Sequence, residues 1–268
     1  MTRFRVVDAF TDRPFSGNPA AVLVLDGPYD DRWAQRVAAE FNLSETAFLI
    51  PDGGPAADYG LRWFTPVVEE ALCGHATLAA AHALVEDGAV GPIRFSTRWN
   101  GVLTVERRDG RLWMDFPANP PQEAPVPDGL AEALGAGIVR AGTAGTGDLL
   151  VELDDESAVR ALDPVPARLG GYAERGVIAT ARADEGRPYA FVSRFFAPGV
   201  GVDEDPVTGS AHTVLAPYWA ERLGGAAFEA LQCSARTGRL SVELPPEAPG
   251  RVRIGGSAVT VSEGHFMV

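Results

Sequence analysis

The sequence predicts an α+β protein of two pseudo-symmetric domains, each a curled, barrel-like β-sheet around a central helix. The block Arg-Trp-Phe-Thr-Pro at 62–66 returns as Arg-Phe-Phe-Ala-Pro at 194–198, about half of the 268-residue chain later, and such a period indicates a duplicated structural unit. An apolar segment follows each block, at residues 76–85 and 211–223. Each segment is predicted to be a helix that is buried on nearly every face.

The two domains are expected to divide near the middle of the chain. Five prolines lie between positions 117 and 127, and a proline cluster is typical of a linker. The predicted domains therefore span residues 1–117 and 128–257.

Each half repeats the order strand, helix, strand. These elements are predicted at 20–25, 31–41 and 46–50 in the first half, and at 149–153, 156–162 and 177–181 in the second. The dipeptides Asn100-Gly101 and Asp109-Gly110 predict type I′ hairpin turns, because both central residues of that turn need a positive φ.

Composition excludes several classes of partner and cofactor. The net charge of −13 and a pI near 4.7 disfavour nucleic acid and anionic membranes, which attract basic surfaces. All 23 basic residues are arginine, so the chain has no Schiff-base lysine, including that of pyridoxal phosphate enzymes, and no P-loop lysine. We therefore expect no cofactor, and any racemase chemistry would have to be cofactor-free.

The expected location is the cytoplasm. Cys73 and Cys233 do not make a disulfide framework, and the strand-like N-terminus lacks the apolar core of a signal peptide. The most apolar stretch, residues 71–85, is too short to span a bilayer.

Both central helices are predicted to direct their N-termini at one small substrate. They begin at Gly74-His75 and Gly209-Ser210, where unpaired N–H groups and the positive end of the helix dipole favour a carboxylate. The dipole is also expected to lower the pKa of His75 and favour the neutral imidazole. A buried histidine satisfied by the backbone explains this residue equally well.

Two acidic residues are candidates for proton transfer. Glu45, at the mouth of a predicted strand, would act as a general base if burial raised its pKa, although the residues alone favour a solvated loop glutamate. Asp205 is either an ordinary acid at a helix entry or a second carboxylate across a cleft from Glu45.

Cys73 stands at the entrance of the first central helix. It is a candidate low-pKa thiol, but a small buried residue is the favoured interpretation, and the repeat places Thr208 at the equivalent position. No metal is expected, because His75 and His82 lack metal-ligand spacing and the chain has neither His-Glu-x-x-His nor Cys-x-x-Cys.

Five segments resemble the PhzF family of phenazine biosynthesis. They are Val-Asp-Ala-Phe-Thr at 7–11, Phe-Ser-Gly-Asn-Pro-Ala-Ala-Val at 15–22, Leu-Ser-Glu-Thr-Ala-Phe at 43–48, Cys-Gly-His-Ala-Thr at 73–77 and Glu-Asp-Pro-Val-Thr-Gly-Ser-Ala-His at 204–212. The resemblance implies the diaminopimelate-epimerase-like fold, with the site between the two domains. It also implies a final strand near 258–268 that crosses back to the first domain.

The resemblance implies an activity as well. Family members are cofactor-independent isomerases, typically homodimers, and the type member moves a proton along the ring of trans-2,3-dihydro-3-hydroxyanthranilate. By this resemblance, Glu45 takes and returns a proton on a small carboxylate-bearing substrate. The implied catalytic residues are Glu45, His75, Asp205 and Ser210, and the implied substrate-binding residues are Asn18, Cys73, Gly74 and Gly209.

Two alternatives stay open. An epimerase or racemase of an amino-acid-like substrate would need a second base, for which Cys73 and Asp205 are the only suitable candidates. The fold could also serve a non-catalytic small-molecule-binding protein, because a fold does not by itself imply a function.

Overall fold

The computed structural model describes residues 1–52 and 54–267. The chain forms two compact units: unit 1 comprises Met1–Asp115 and Gly255–Val268, and unit 2 comprises Phe116–Ile254. Val268, the last residue of the predicted final strand, lies outside the described residues. In the described part of the chain, no helix has the length and apolar character that crossing a membrane requires.

Strands predominate along the chain, with helices between them. Unit 1 begins with β1 (Thr2–Ala9), β2 (Asn18–Val24), α1 (Asp31–Phe41), β3 (Glu45–Pro51), β4 (Tyr59–Phe64), β5 (Glu69–Glu70), α2 (Gly74–Glu86), β6 (Ile93–Thr97), β7 (Val102–Arg108) and β8 (Arg111–Pro117). The chain continues with β9 (Gln122–Ala124), α3 (Leu130–Leu134), β10 (Arg140–Thr143), β11 (Asp148–Glu152), α4 (Glu156–Arg160), β12 (Gly176–Arg182), β13 (Phe191–Phe196), α5 (Gly209–Leu223), β14 (Ala227–Gln232), β15 (Gly238–Glu243) and β16 (Arg251–Gly256). It then returns to unit 1 as β17 (Ala258–Phe266), which is antiparallel to β1.

Strand pairing follows the same order in both units. In unit 1, β1 lies between β17 and β2, β2 is parallel to β3, and β3 is antiparallel to β4. In unit 2, β10 lies between β9 and β11, β11 is parallel to β12, and β12 is antiparallel to β13. The predicted duplication is therefore confirmed at the level of topology.

α2 and α5 are the buried helices that the apolar segments predict. α2 contacts β1, β2, β3 and β17, and its side chains are buried without interruption from His75 to Ala81. In α5, Trp219 stacks on Phe191 of β13 with ring centroids 5.7 Å apart, and its indole N–H donates to Thr180 of β12 at 3.0 Å. Each unit thus wraps part of its sheet around one helix.

α1 sets the entry into β3. It packs through a separate apolar cluster that includes Leu23, Ala34, Val37, Ala38, Phe48 and Phe64. Asp30 caps its start by accepting the N–H groups of Arg32 and Trp33 at 2.9 and 3.1 Å, which typically stabilises a helix by about 1 kcal/mol. The helix ends at Asn42, whose φ of 51° is left-handed, and the chain turns directly into Glu45.

The repeated arginine block has a structural role in each unit. Arg62 holds Glu69 through Nε and Nη2 at 2.6 and 2.7 Å, and its guanidinium lies 5.1 Å from the phenylalanine ring two positions later. Arg194 holds Glu204 in the same way at 2.7 and 2.8 Å, with the corresponding ring at 5.0 Å. A bidentate pair fixes the edge of a planar guanidinium and a ring contact fixes one of its faces, which explains why lysine would not replace it.

One turn prediction was wrong. At Asn100-Gly101 only the glycine has a positive φ, of 66°, so the connection between β6 and β7 is a longer loop and not a type I′ turn. Asp109 and Gly110 both have positive φ, of 53° and 78°, as a type I′ turn requires. The proline-rich segment also contains the strand β9, which pairs with β10.

Candidate active site

Predicted site residues form one cluster in unit 1. Asn18 begins β2, Glu45 begins β3, Cys73 precedes α2 as its N-cap, Gly74 begins α2 and His75 follows it. Oε2 of Glu45 lies 3.1 Å from Nε2 of His75. Nδ1 of the same ring lies 3.2 Å from Nδ2 of Asn18 and 3.5 Å from Sγ of Cys73. The imidazole is therefore contacted on both of its nitrogens.

Backbone geometry explains how Asn18 reaches this cluster. Gly17 has a φ of 67°, and a Cβ at this position would lie 2.1 Å from the carbonyl oxygen of Ala9, so only glycine fits the bend. Asn18 follows it and is fully buried. Ser44, directly before β3, donates its hydroxyl to Oδ1 of Asn18 at 3.3 Å. This bond orients the amide so that its nitrogen faces His75.

The Asn18 amide selects the tautomer of the neutral His75 ring. An amide nitrogen only donates, so Nδ1 accepts and the ring hydrogen lies on Nε2, towards Glu45. Nε2 of His75 and Oε2 of Glu45 are both buried, and neither has an aligned hydrogen-bond partner among the described residues. Because buried polar atoms normally have partners, this pair of atoms is suited to receive a third group.

The charge preference of His75 is opposite to the predicted one. Burial disfavours the charged ring, but contact with Cys73 and with the Glu45 carboxylate outweighs burial and raises the pKa of His75 well above its ordinary value. The prediction that the helix dipole would lower this pKa was wrong, because a carboxylate 3.1 Å away acts more strongly than the partial charge of a helix end.

Cys73 has the properties of a buried structural thiol. Burial, together with the charge of Glu45, raises its pKa to about 11, so the thiol stays protonated near neutral pH. This agrees with the favoured interpretation from the sequence and argues against a nucleophilic role, since the thiolate is the reactive form.

The same cluster includes a possible set of metal ligands. One ligand atom each from Glu45, Cys73 and His75 lie within 4.8 Å of one another. The carboxylate, however, faces Nε2 of the imidazole and the sulfur faces Nδ1. The carboxylate and the sulfur therefore make their closest contacts with opposite nitrogens of the imidazole.

A second group of predicted residues lies in unit 2, at the start of α5. Thr208 is the N-cap of α5 and donates its hydroxyl to Oδ2 of Asp205 at 2.5 Å. Gln232, fully buried at the end of β14, donates to the backbone carbonyl of Asp205 at 2.7 Å and accepts the N–H of Thr208 at 2.8 Å. These bonds hold the carboxylate of Asp205 in a fixed position relative to the helix.

Gly209 and Ser210 are the first two residues of α5. The Ser210 hydroxyl accepts a hydrogen bond from Nη1 of Arg175 at 2.8 Å. His212, one turn into the helix, donates from Nδ1 to the carbonyl of Thr208 at 2.8 Å, and its burial lowers its pKa to about 4. His212 is therefore a neutral core residue that stiffens the helix start.

Sequence reasoning missed Ser44, Arg175 and Gln232. Ser44 and Arg175 occupy the same place in the two units, directly before the second of two parallel strands. Aligning the predicted strands of the two halves would have shown that these two residues are equivalent. Gln232 has no comparable signal, because only the fold brings the end of β14 to Asp205.

The fold and the site define a class of protein. Each unit has a sheet curled around one helix, and the helix start carries polar residues, which is the architecture of the diaminopimelate-epimerase-like fold. A probable proline racemase from Agrobacterium radiobacter shares this fold with a TM-score of 0.66 at 14% identity, covering 100% of this chain and 93% of that one.

The chain belongs to the phenazine biosynthesis-like protein family, PhzC-PhzF, whose family model matches residues 7–264. An uncharacterized isomerase of Pseudomonas aeruginosa is 53% identical over 260 residues, covering 96% of each chain. The crystal structure of a PhzF-family protein from Enterococcus faecalis superposes with a TM-score of 0.93 at 39% identity, covering 100% of this chain and 99% of that one. The recognition of the family from the sequence is confirmed.

Proposed function

We propose that this protein is a cofactor-independent isomerase that moves a proton on a small carboxylate-bearing substrate, with Glu45 as the general acid and base. The observation that carries the proposal is the contact between Oε2 of Glu45 and Nε2 of His75, 3.1 Å apart, buried and not aligned with each other. A relative that is 53% identical is named an isomerase, which supports the reaction class.

Glu45 combines the two properties that a general base needs. Its side chain is 18% exposed, so the carboxylate can be reached, while its inner oxygen is buried beside the imidazole. His75, with its raised pKa, supplies a hydrogen or a positive charge to whichever oxygen develops negative charge during proton transfer. In this proposal a substrate atom would lie beside both groups, within hydrogen-bond distance of each, and complete their hydrogen bonds.

Strand register favours one base over two. Phe48 pairs with Arg62 in unit 1, and Ala179 pairs with Arg194, the equivalent arginine, in unit 2. Phe48 and Ala179 are therefore equivalent positions. Three positions before each of them lie Glu45 and Gly176, so Gly176 is the counterpart of Glu45. A Cβ at Gly176 would lie 2.5 Å from Cζ of the Phe195 ring, which leaves no room for a side chain. Unit 2 therefore has no base at the position of Glu45.

The helix starts likewise favour a single base. Cys73 in unit 1 corresponds to Thr208 in unit 2, since each is the N-cap of its central helix. A second thiol is missing there, and the Cys73 thiol stays protonated. These observations favour a proton shift over two-base inversion of an amino-acid-like substrate. In the proposed mechanism His75, Asp205 and Ser210 hold the substrate and assist proton movement. Asn18, Cys73, Gly74 and Gly209 contribute further substrate contacts.

The test is proton NMR in deuterated buffer with trans-2,3-dihydro-3-hydroxyanthranilate as the first substrate. The wild type is expected to convert it with solvent deuterium incorporated, and Glu45→Gln is expected to lose turnover by orders of magnitude while staying folded. Glu106→Gln, an exposed residue of β7, is the matched control and should keep full activity. Near-wild-type turnover by Glu45→Gln would remove Glu45 as the base, and inversion at an α-carbon of amino-acid substrates would favour the epimerase alternative.

A further inference from the structure

We propose that Arg175, held by Asp148, is a positioning residue that makes the Ser210 hydroxyl a hydrogen-bond donor to the anionic group of the substrate. The inference deepens the proposed function and rests on it, because Ser210 is a substrate-contacting residue only within that proposal.

Arg175 is fixed from several directions. Its Nε donates to Oδ1 of Asp148 at 2.8 Å, its Nη2 donates to Oδ2 of the same carboxylate, and its Cζ lies 5.0 Å from the centre of the Phe195 ring. Asp148 is in turn held by the Thr146 hydroxyl at 2.6 Å, and its side chain is completely buried. Such a fork leaves the guanidinium little rotational freedom.

The fixed guanidinium determines what Ser210 can do. Nη1 donates to Oγ of Ser210 at 2.8 Å, and arginine has no acceptor to offer in return. One lone pair of Oγ is therefore occupied, and the hydroxyl hydrogen is directed to a different acceptor. A hydroxyl that already accepts from a cation is also a stronger donor, because hydrogen bonds in a chain polarise one another.

The charge of Arg175 matters in this protein. The chain carries a net charge of −13, which repels an anionic substrate at long range. A guanidinium remains charged at every accessible pH, but the buried carboxylate of Asp148 pairs with it, so its positive charge acts at short range, through the Ser210 hydroxyl. A hydroxyl that is polarised in this way favours an oxyanion, such as a carboxylate, as its acceptor.

The duplication shows how the two units diverged at this point. In unit 1, the residue before the second parallel strand is Ser44, which orients Asn18, which in turn contacts His75. In unit 2, the corresponding residue is Arg175, which contacts Ser210, the counterpart of His75. The network in unit 1 ends at His75, which can gain and lose a proton. The network in unit 2 ends at the Ser210 hydroxyl, which accepts a hydrogen bond from a permanently charged arginine. We assign proton transfer to the first and anion binding to the second.

The experiment measures binding separately from turnover. The probe is 3-hydroxyanthranilate, a stable aromatic carboxylate, titrated by calorimetry into wild type, Arg175→Ala, Ser210→Ala and the double variant. Arg175→Ala and Ser210→Ala are each expected to raise Kd by about 10- to 100-fold, the effect of losing a charge-assisted hydrogen bond. The double variant should be little weaker than either single variant, because the two residues act as one unit.

Controls separate positioning from folding. Arg160→Ala removes an arginine from another buried carboxylate in the same unit, Glu156, held at 2.7 Å, and should lower stability without changing Kd. Millimolar guanidinium chloride should restore binding to Arg175→Ala but not to Ser210→Ala, while urea should restore neither. Arg175→Lys keeps the charge but loses the bidentate hydrogen bonds to Asp148, and its Kd for the probe should lie between those of wild type and Arg175→Ala.

The proposal would be overturned if Arg175→Ala bound the probe as tightly as wild type, or if its effect added in full to that of Ser210→Ala. Failure of the proposed function gives a different result. If Glu45→Gln kept its turnover while Arg175→Ala lost binding that guanidinium restores, Glu45 would not be the base, and the positioning role of Arg175 would stand.

Discussion

The carboxylate of Glu45 and the imidazole of His75 face each other at 3.1 Å in unit 1. One residue begins a strand and the other lies at the start of a buried helix. The carboxylate raises the pKa of His75 against the opposing effect of burial.

Removing this carboxylate should lower the pKa of His75. In Glu45→Gln, burial continues to disfavour the charged ring while the opposing carboxylate is gone, so the His75 resonance should titrate at lower pH than in wild type. NMR titration of the four histidines measures this directly. Glu86→Gln is the control, because Glu86 contacts His82 at 3.2 Å and should leave His75 unchanged. An unaltered His75 pKa in Glu45→Gln would contradict the assigned cause.

Acid should destabilise the protein through His212. The folded-state pKa of His212 is about 4, below the ordinary 6.5, so the unfolded chain binds this proton first as the pH falls. His212 therefore contributes about 3 kcal/mol to the free energy of unfolding above pH 6.5, and this contribution is lost as the pH falls to about 4. Urea unfolding at pH 7 and pH 5 should show a smaller loss of stability in His212→Asn than in wild type. The exposed His265 provides the control, and His265→Asn should behave as wild type.

Cys73 should be unreactive near neutral pH. With a pKa of about 11 and a buried side chain, the folded protein should resist iodoacetamide at pH 7.5, as judged by mass spectrometry, and should react only after unfolding. Cys73→Ser should keep most of the turnover. Rapid modification of the folded wild type, with loss of activity, would mean that the thiol takes part in the chemistry.

Gly176 should not tolerate a side chain. Gly176→Ala places a Cβ 2.5 Å from the Phe195 ring, and such overpacking typically destabilises a protein by about 1–3 kcal/mol. Thermal unfolding should show a clear drop in Tm. Gly199→Ala, where a Cβ would meet nothing within 4 Å, is the matched control. Equal Tm values for the two variants would show that Phe195 moves aside, and the lack of space at Gly176 would no longer favour a single base.

The duplication and the two buried helices follow from the sequence by itself. The repeated arginine block and the two apolar segments predict one sheet around one helix in each half, because apolar residues on every face of a helix can only be buried. The local sequence also predicts the helix starts at Gly74 and Gly209. Each start is marked by a glycine followed by a small or polar residue, and this pattern does not depend on residues that are distant in the chain.

Charge states and positioning contacts were decided only by the tertiary structure. The pKa of His75 depends on Glu45, which a strand brings to the helix start, and no local pattern records that distance. The pairing of Arg175 with Ser210 and of Gln232 with Asp205 likewise joins residues that are far apart in the chain. Helix burial follows from neighbouring residues, whereas the energy of a charge depends on whichever atoms the fold places within a few ångströms of it.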